Sequence, residues 1–375
     1  MCYDSPRVRI LMDYRPALRQ RTGVGEYVHG LATALAHHLG PEDSLRLFSS
    51  SWKDRLAPAA VPGTRQTDLR IPVQLLNLAW HRLEWPPVQW LAGQADIVHS
   101  MHPLMIPGRG ARFITIHDLY FLDRPDHTKA EIRRDYPDLT ADHARRADGV
   151  IVNSQYTGRQ VSERLGVETE KITVCSPGNP GWPRRAEPAT PGPIVFVGTL
   201  EPRKNLHRLM EAYALLLDRR PDIPDLVLAG ALDPAARDLF TGPVSLAGAI
   251  DRIRLTGYVT DDERQRLYRE ASMLVLPSLD EGFGIPALEA MTIGVPVVAS
   301  NRGALPEVVG SAGIVVEPDD AEAFAVAIER VLDDAALRRQ MSQAGVTRAA
   351  QFTWESSAER LYAAYRAVDR RRGLA

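Results

Sequence analysis

The chain has 375 residues, 45% hydrophobic and 25% charged, the balance of a folded globular protein and a length suited to two domains. Its 45 basic residues nearly match its 47 acidic ones, a formal net charge of −2, so no global field draws it to nucleic acid. Two cysteines far apart in sequence, Cys2 and Cys175, argue against a disulfide framework and for a reducing cytoplasm, and no Cys/His group has zinc-ligand spacing.

Val8 to Asp13 reads as a short buried strand. Its apolar core is too short, and too interrupted by Arg9, for a secretory leader, so none is expected. No later run approaches the ~18 apolar residues of a membrane span. The chain is therefore expected to be cytoplasmic and soluble, or at most peripheral at the inner face of a membrane. A loop from Tyr14 to Thr22 leads into Gly23-Val24-Gly25, and a helical pattern follows from Glu26 to His38, with Val28, Leu31, Ala32, Leu35 and Leu39 along one side. Strand, glycine loop and helix open a doubly wound α/β domain. Gly-x-x-Gly does not follow, since position 28 is Val, which disfavours a dinucleotide cofactor.

Trp80, Trp85 and Trp90 lie in an apolar stretch with prolines, suited either to a glycan or lipid carrier or to the core. Strands are predicted at Asp96 to His99, Arg112 to His117 and Gly149 to Asn153, apolar on both sides as in a parallel sheet covered on both faces. A helix is predicted from Thr128 to Arg146. His117 ends its strand beside Asp118; packing against Asp118 is the structural reading of it, and His99 and His102 suit packing roles better still. Asn153 and Ser154 either line a cleft or cap the next helix.

Ser176 to Pro193 is dense in Pro and Gly and breaks the pattern. The expected organisation is an N-terminal domain over 1–178, a linker over 179–193, a second doubly wound domain over 194–352 and a C-terminal helical segment over 353–375. In the second domain, strands are predicted at Ile194 to Gly198, Asp225 to Ala229, Ile253 to Thr256, Met273 to Leu276, Val297 to Ala299 and Gly313 to Val316. Helices fit at Asn205 to Asp218, Asp261 to Glu270, Pro286 to Ile293 and Ala321 to Leu332. The last helix, Thr353 to Arg372, ends in Arg370-Arg371-Arg372, read as a solvated tail.

The densest chemistry lies at Glu281-Gly282-Phe283-Gly284-Ile285-Pro286-Ala287-Leu288-Glu289. Pro286 suits the first helical position, and the Gly-Phe-Gly backbone would present N–H groups at a helix N-terminus to an oxygen-rich ligand. Glu289, one turn into that helix, can accept hydrogen bonds from ribose hydroxyls, and Glu281 from sugar hydroxyls. The structural alternatives are a solvated loop residue and a helix-dipole partner. Arg203 and Lys204 precede a helix start, where a cation is mildly unfavourable, which points to an anion there.

This segment resembles the Glu, seven residues, Glu motif of retaining glycosyltransferases of the GT-B fold, family 4 in particular. The resemblance extends to TGVGEY, THDL around His117, VNSQYT around Asn153, VGTLEPRKN from Val197 and GYV at Gly257-Tyr258-Val259. It implies two Rossmann-like domains facing across a cleft, with the C-terminal helix packing back on the N-terminal domain. It implies a donor site formed by Gly23, Val24, Gly25, Gly198, Thr199, Arg203, Lys204, Gly257, Tyr258, Val259, Glu281 to Ile285 and Glu289. It also places His117 near the reacting centre, its backbone carbonyl facing developing positive charge. Thr199 stands where many relatives have Arg, which weakens the phosphate clamp. The chain has no Asp-x-Asp, so metal-independent transfer is expected. The resemblance is strongest to bacterial mannosyltransferases, implying GDP-mannose as donor and a saccharide or lipid-linked saccharide as acceptor. A UDP-hexose donor, a GT-B-fold sugar-nucleotide epimerase and a non-catalytic nucleotide-sugar binder remain the alternatives.

Overall fold

A computed structural model describes residues 7–18, 23–125, 130–186, 192–233 and 249–372. Cys2, Thr22, the expected helix start at Thr128 and linker residues 187–191 lie outside them. The chain divides into two compact units, Met1–Gly178 with Thr353–Ala375, and Asn179–Phe352.

The first unit holds a seven-stranded parallel sheet: β1 (Arg9–Asp13), β2 (Ser44–Ser50), β3 (Arg65–Leu69), β4 (Ile97–Ser100), β5 (Ala111–Ile116), β6 (Gly149–Val152) and β7 (Ile172–Val174). Their spatial order is β3-β2-β1-β4-β5-β6-β7. Successive residues of a strand face opposite sides. On β1, Ile10 and Met12 enter one core with Tyr27, Val28, Leu31 and Leu35 of α1 (Gly23–His38), while Leu11 enters another with Phe48 and Val98. That second core is closed by Leu76 and Trp80 of α2 (Val73–Arg82) and Val88 of α3 (Val88–Ala92). Burial on both faces explains why the strand reads as an unbroken apolar run. The remaining helices are α4 (Tyr120–Asp123), α5 (Ala130–Arg146) and α6 (Gln155–Leu165).

The second unit repeats the plan with β8 (Ile194–Val197), β9 (Leu226–Ala229), β10 (Ile253–Gly257), β11 (Met273–Leu276), β12 (Val297–Ser300) and β13 (Ile314–Val316), in the order β10-β9-β8-β11-β12-β13. Its helices are α7 (Leu206–Arg219), α8 (Asp261–Glu270), α9 (Ile285–Ile293), α10 (Leu305–Val309), α11 (Ala321–Asp333) and α12 (Ala335–Ala349). Both sheets thus reverse strand order beside their first strand, at β1/β4 and at β8/β11, where α/β sheets open a crevice beyond the carboxyl ends of the strands.

The last helix, α13 (Trp354–Arg372), packs on the first unit, with Ala358, Leu361, Tyr365 and Val368 in the core that contains α1. Gly30 of α1 makes room for it: a Cβ there would lie 2.4 Å from the Trp354 ring. The Tyr365 hydroxyl meets His99 Nδ1 at 2.5 Å, and Thr115 Oγ1 meets Nε2 at 2.8 Å. Burial pushes the His99 imidazole down to about 3, so it is a neutral bridge between α13 and the sheet.

The glycine loop expected at Gly23 to Gly25 is instead the first turn of α1, so Gly23 and Gly25 take helical backbone angles. Likewise Pro286 is the second, not the first, residue of α9; its missing N–H still falls in the turn that lacks intrahelical acceptors. Strands β2, β3 and β7 were not read from the sequence. The Pro/Gly-rich segment is fastened to the second unit: Asn179 Nδ2 donates to Phe352 O at 2.8 Å, and Arg185 Nη1 to Ala271 O at 2.5 Å.

Candidate functional site

The second unit gathers its charges where strand order reverses. The loop after β8 carries Arg203 and Lys204, and the loop after β11 carries Glu281. Lys204 Nζ lies 2.6 Å from Glu281 Oε1, Ser278 Oγ donates to the same oxygen at 2.8 Å, and Arg203 Nη1 reaches Oε2 at 3.4 Å. Arg203 also holds Glu201 Oε1 at 2.8 Å and Asp280 O at 3.0 Å. Burial alone would raise the Glu281 carboxyl. The Lys204 and Arg203 charges and the hydrogen bonds from Lys204 and Ser278 outweigh it and hold the carboxyl below the usual range, so it stays ionised.

Three local features fix this group. Asn205, in a left-handed conformation, donates to Pro277 O at 3.1 Å and Pro318 O at 2.8 Å, tying the Lys204 turn to the strand ends. Leu279 N donates to Arg203 O at 2.9 Å. Gly303, with φ +63°, lies against the Glu281 backbone; a Cβ there would come within 2.4 Å of Glu281 N and O. None of Ser278, Asn205 or Gly303 was singled out from the sequence: the Asn205 and Gly303 partners lie far along the chain, and Ser278 meets Glu281 only through the fold of their shared loop.

Gly282 is buried and the Phe283 ring packs edge-on against Phe352, 5.5 Å between centroids, so that ring belongs to the core. Gly284 caps α9 and Ile285 begins it. Glu289 is buried and faces α8: Tyr268 OH donates to Oε2 at 3.0 Å and Arg264 Nη2 lies 3.2 Å from Oε1. Arg264 in turn lies over the Trp182 ring, 5.5 Å from its centroid, within reach of a cation–π contact. Gly198 donates its N–H to Ala229 O at 2.9 Å at the end of β8, and Thr199 beside it is half-buried. Gly257 accepts from Gly230 N at 2.9 Å, Tyr258 is exposed and Val259 packs against the core.

In the first unit, His117 follows β5. Its Nε2 is 3.2 Å from Met101 O, which only accepts, so Nε2 carries the proton. Its ring meets Tyr27 edge-on at 5.2 Å. Burial lowers its pKa more than the bond to Met101 raises it, which keeps the ring neutral. The His117 carbonyl accepts from Thr157 Oγ1 at 3.4 Å. Ser154 caps α6, accepting from Thr157 N at 3.0 Å, and Asn153 beside it is buried with no hydrogen-bond partner for Oδ1 among the described residues. Val24 is exposed and Gly25 buried in the first turn of α1.

A second cluster was not anticipated. Asp13, at the end of β1, is fully buried and accepts from Arg15 Nε and Nη2, each at 2.8 Å, with His102 Nε2 at 3.3 Å. Arg15 also donates to Asn77 Oδ1 at 2.9 Å and lies over Trp80, 5.1 Å from the ring centroid. Burial works against the Asp13 carboxylate, yet Arg15 and His102 hold its pKa far below the usual range. Among the described residues no group of three or more His, Cys, Asp or Glu is placed to hold a metal ion, and no helix is long and apolar enough to cross a membrane.

Residues 21–180 match the model for Glycosyltransferase Family 4, and residues 183–348 that for Glycosyl transferases group 1. The chain is 31% identical to O-antigen chain mannosyltransferase B of Escherichia coli, over 96% of this chain and 100% of that protein. It is 29% identical to the D-inositol 3-phosphate glycosyltransferase of Corynebacterium glutamicum, over 74% of this chain and 70% of that one. The solved sucrose-phosphate synthase of Thermosynechococcus elongatus superposes with a TM-score of 0.77 at 24% identity, covering 96% of this chain and 99% of that one, which gives the GT-B fold.

Proposed function

The chain belongs to the glycosyltransferases of family 4, and from that premise we propose that it transfers mannose from GDP-mannose to a hydroxyl of a saccharide or lipid-linked saccharide in surface-glycan assembly, with retention of configuration and without a metal. The observation that carries the reading is the buried group of Lys204, Arg203 and Glu281 at the β8/β11 reversal. The choice of mannose rests on the likeness to O-antigen chain mannosyltransferase B.

The residues divide the work by charge. Lys204 and Arg203 offset the diphosphate, assisted by the N–H groups at the start of α9. Glu281 accepts hydrogen bonds from the hexose, and Glu289 from the ribose, sharing Tyr268 and Arg264. Glu281 does not attack C1: an ionised carboxylate already held by three donors is a weak nucleophile. The bond from C1 to the phosphate oxygen breaks, the bond from C1 to the acceptor oxygen forms on the same face, and the acceptor proton passes to the departing phosphate.

The test is incubation of the chain with GDP-mannose and candidate acceptors in excess chelator, with the anomeric configuration of the product read by NMR. An α-mannoside formed at an undiminished rate is expected. A β-linked product, or a strict need for a divalent ion, would overturn the mechanism. Product formed from donor alone would point to an epimerase.

A further inference from the structure

Helix α2 is apolar on both sides. Leu76 and Trp80 enter the core, but Leu75 and Leu78, three residues apart on the outer side, are each more than half exposed. A helix apolar all round is normally covered on every face. The exposed surface continues along the chain through Leu83, Trp85 and Trp90, all more than half exposed, and the Trp85 and Trp90 rings meet edge-on with centroids 5.8 Å apart. Of the three tryptophans in this stretch, only Trp80 is core: its ring packs against Phe48 and its Nε1 donates to Pro86 O at 3.1 Å.

The charge along this stretch is mostly basic. Between residues 70 and 92 the only acid is Glu84, and Arg146 grips both its oxygens, at 2.8 and 2.7 Å. Arg70, Arg82 and Arg109 are exposed, and Arg109 is held beside α3 by Gln89, whose Nε2 donates to its carbonyl at 2.6 Å. We propose that Leu75, Leu78, Leu83, Trp85 and Trp90, with Arg70, Arg82 and Arg109, form the face by which the chain seats on an anionic lipid bilayer.

Charge complementarity selects the occupant. A second copy meeting this face isologously would set one arginine-bearing surface against another, like charge facing like charge. An anionic bilayer offers apolar depth for the leucines, an interface where indole rings settle, and phosphates for the guanidinium groups. None of these residues belongs to the charge group around Glu281, so binding to vesicles is read without any transfer measurement.

The experiment is flotation of the full chain with vesicles of phosphatidylcholine and phosphatidylglycerol, against vesicles of phosphatidylcholine alone. Wild type is expected to float with the anionic vesicles and to be released by salt as the headgroup attraction is screened. Trp85→Ser with Trp90→Ser should lower the bound fraction about tenfold, as expected when interfacial apolar area is lost. Arg70→Gln with Arg109→Gln should weaken binding to the anionic vesicles only. The tryptophan pair is exposed, so its melting temperature should match wild type, keeping the test valid if Leu75→Ser with Leu78→Ser fails to fold. Wild type that stays unbound, or binding indifferent to the tryptophan pair, overturns the proposal. So does a lipid-free dimer in sedimentation velocity that the tryptophan pair dissolves, or a soluble oligosaccharide that competes the chain off the vesicles.

Discussion

The two sheets reverse strand order at equivalent places, and each sets a carboxylate among cations there, yet the two groups are built differently. Asp13 takes its main donor from Arg15, two residues along, and its side chain is 0% exposed. Glu281 takes its donors from Lys204 and Arg203, more than seventy residues away on another loop, and the three side chains keep 7%, 10% and 18% exposure. The first group is closed on itself and ties β1 to α2 through Asn77 and Trp80. The second is assembled from two separate loops and remains in touch with solvent, as the anion-binding role proposed for it requires. The same topology serves once as a closed lock and once as a partly open group of charges.

The largest effect should come from breaking the lock. Asp13→Asn leaves Arg15 buried beside a neutral amide and should cost about 3–5 kcal/mol, read by urea unfolding of the chain. A cost below about 1 kcal/mol would mean the group is more solvated than its burial indicates. Glu281→Gln should act on function instead. Transfer should fall about a hundredfold or more, measured as kcat/KM with saturating acceptor, with a smaller loss of stability than Asp13→Asn. A variant with wild-type turnover would remove Glu281 from the donor site.

Smaller effects test the supports of each half. Gly30→Ala places a methyl against the Trp354 ring and should cost about 1–3 kcal/mol by loosening α13 from α1, seen as earlier proteolysis of the C-terminal helix. Tyr268→Phe removes the hydroxyl that donates to Glu289 and should cost about 1 kcal/mol. The response to acid should be graded in the same way. Both carboxyls have folded pKa values below their unfolded ones, so each contributes its full stabilisation above the unfolded value and loses it as the pH falls toward the folded one. In Asp13→Asn the slope of stability against pH below about 4 should flatten.

The second half of the chain was the more legible. Its strands are short, fully buried and apolar, so Ile194–Val197 and Met273–Leu276 stand out without tertiary knowledge. In the first half, β2 mixes Ser and Arg with its leucines and β3 is a polar edge strand, RQTDL, whose pairing rather than composition makes it a strand. The Glu281 motif was visible as a motif, but not its partnership with Ser278 or the Glu289 contact with Tyr268, since both depend on how loops and helices pack. Trp80 and Trp85 are five residues apart and similar in sequence context; only the fold separates the buried ring from the exposed one.

The most direct measurement of the donor site is the melting temperature of the chain with GDP-mannose, compared with UDP-, dTDP- and ADP-sugars. At a hundredfold excess over Kd the stabilisation is about 2.7 kcal/mol, a rise of roughly 5 °C or more for a unit of this size. GDP-mannose is expected to give the largest rise, and Arg203→Gln with Lys204→Gln to abolish it. A chain that melts at the same temperature with every nucleotide sugar, or a double variant that keeps the full rise, would contradict the placement of the donor on this group of charges.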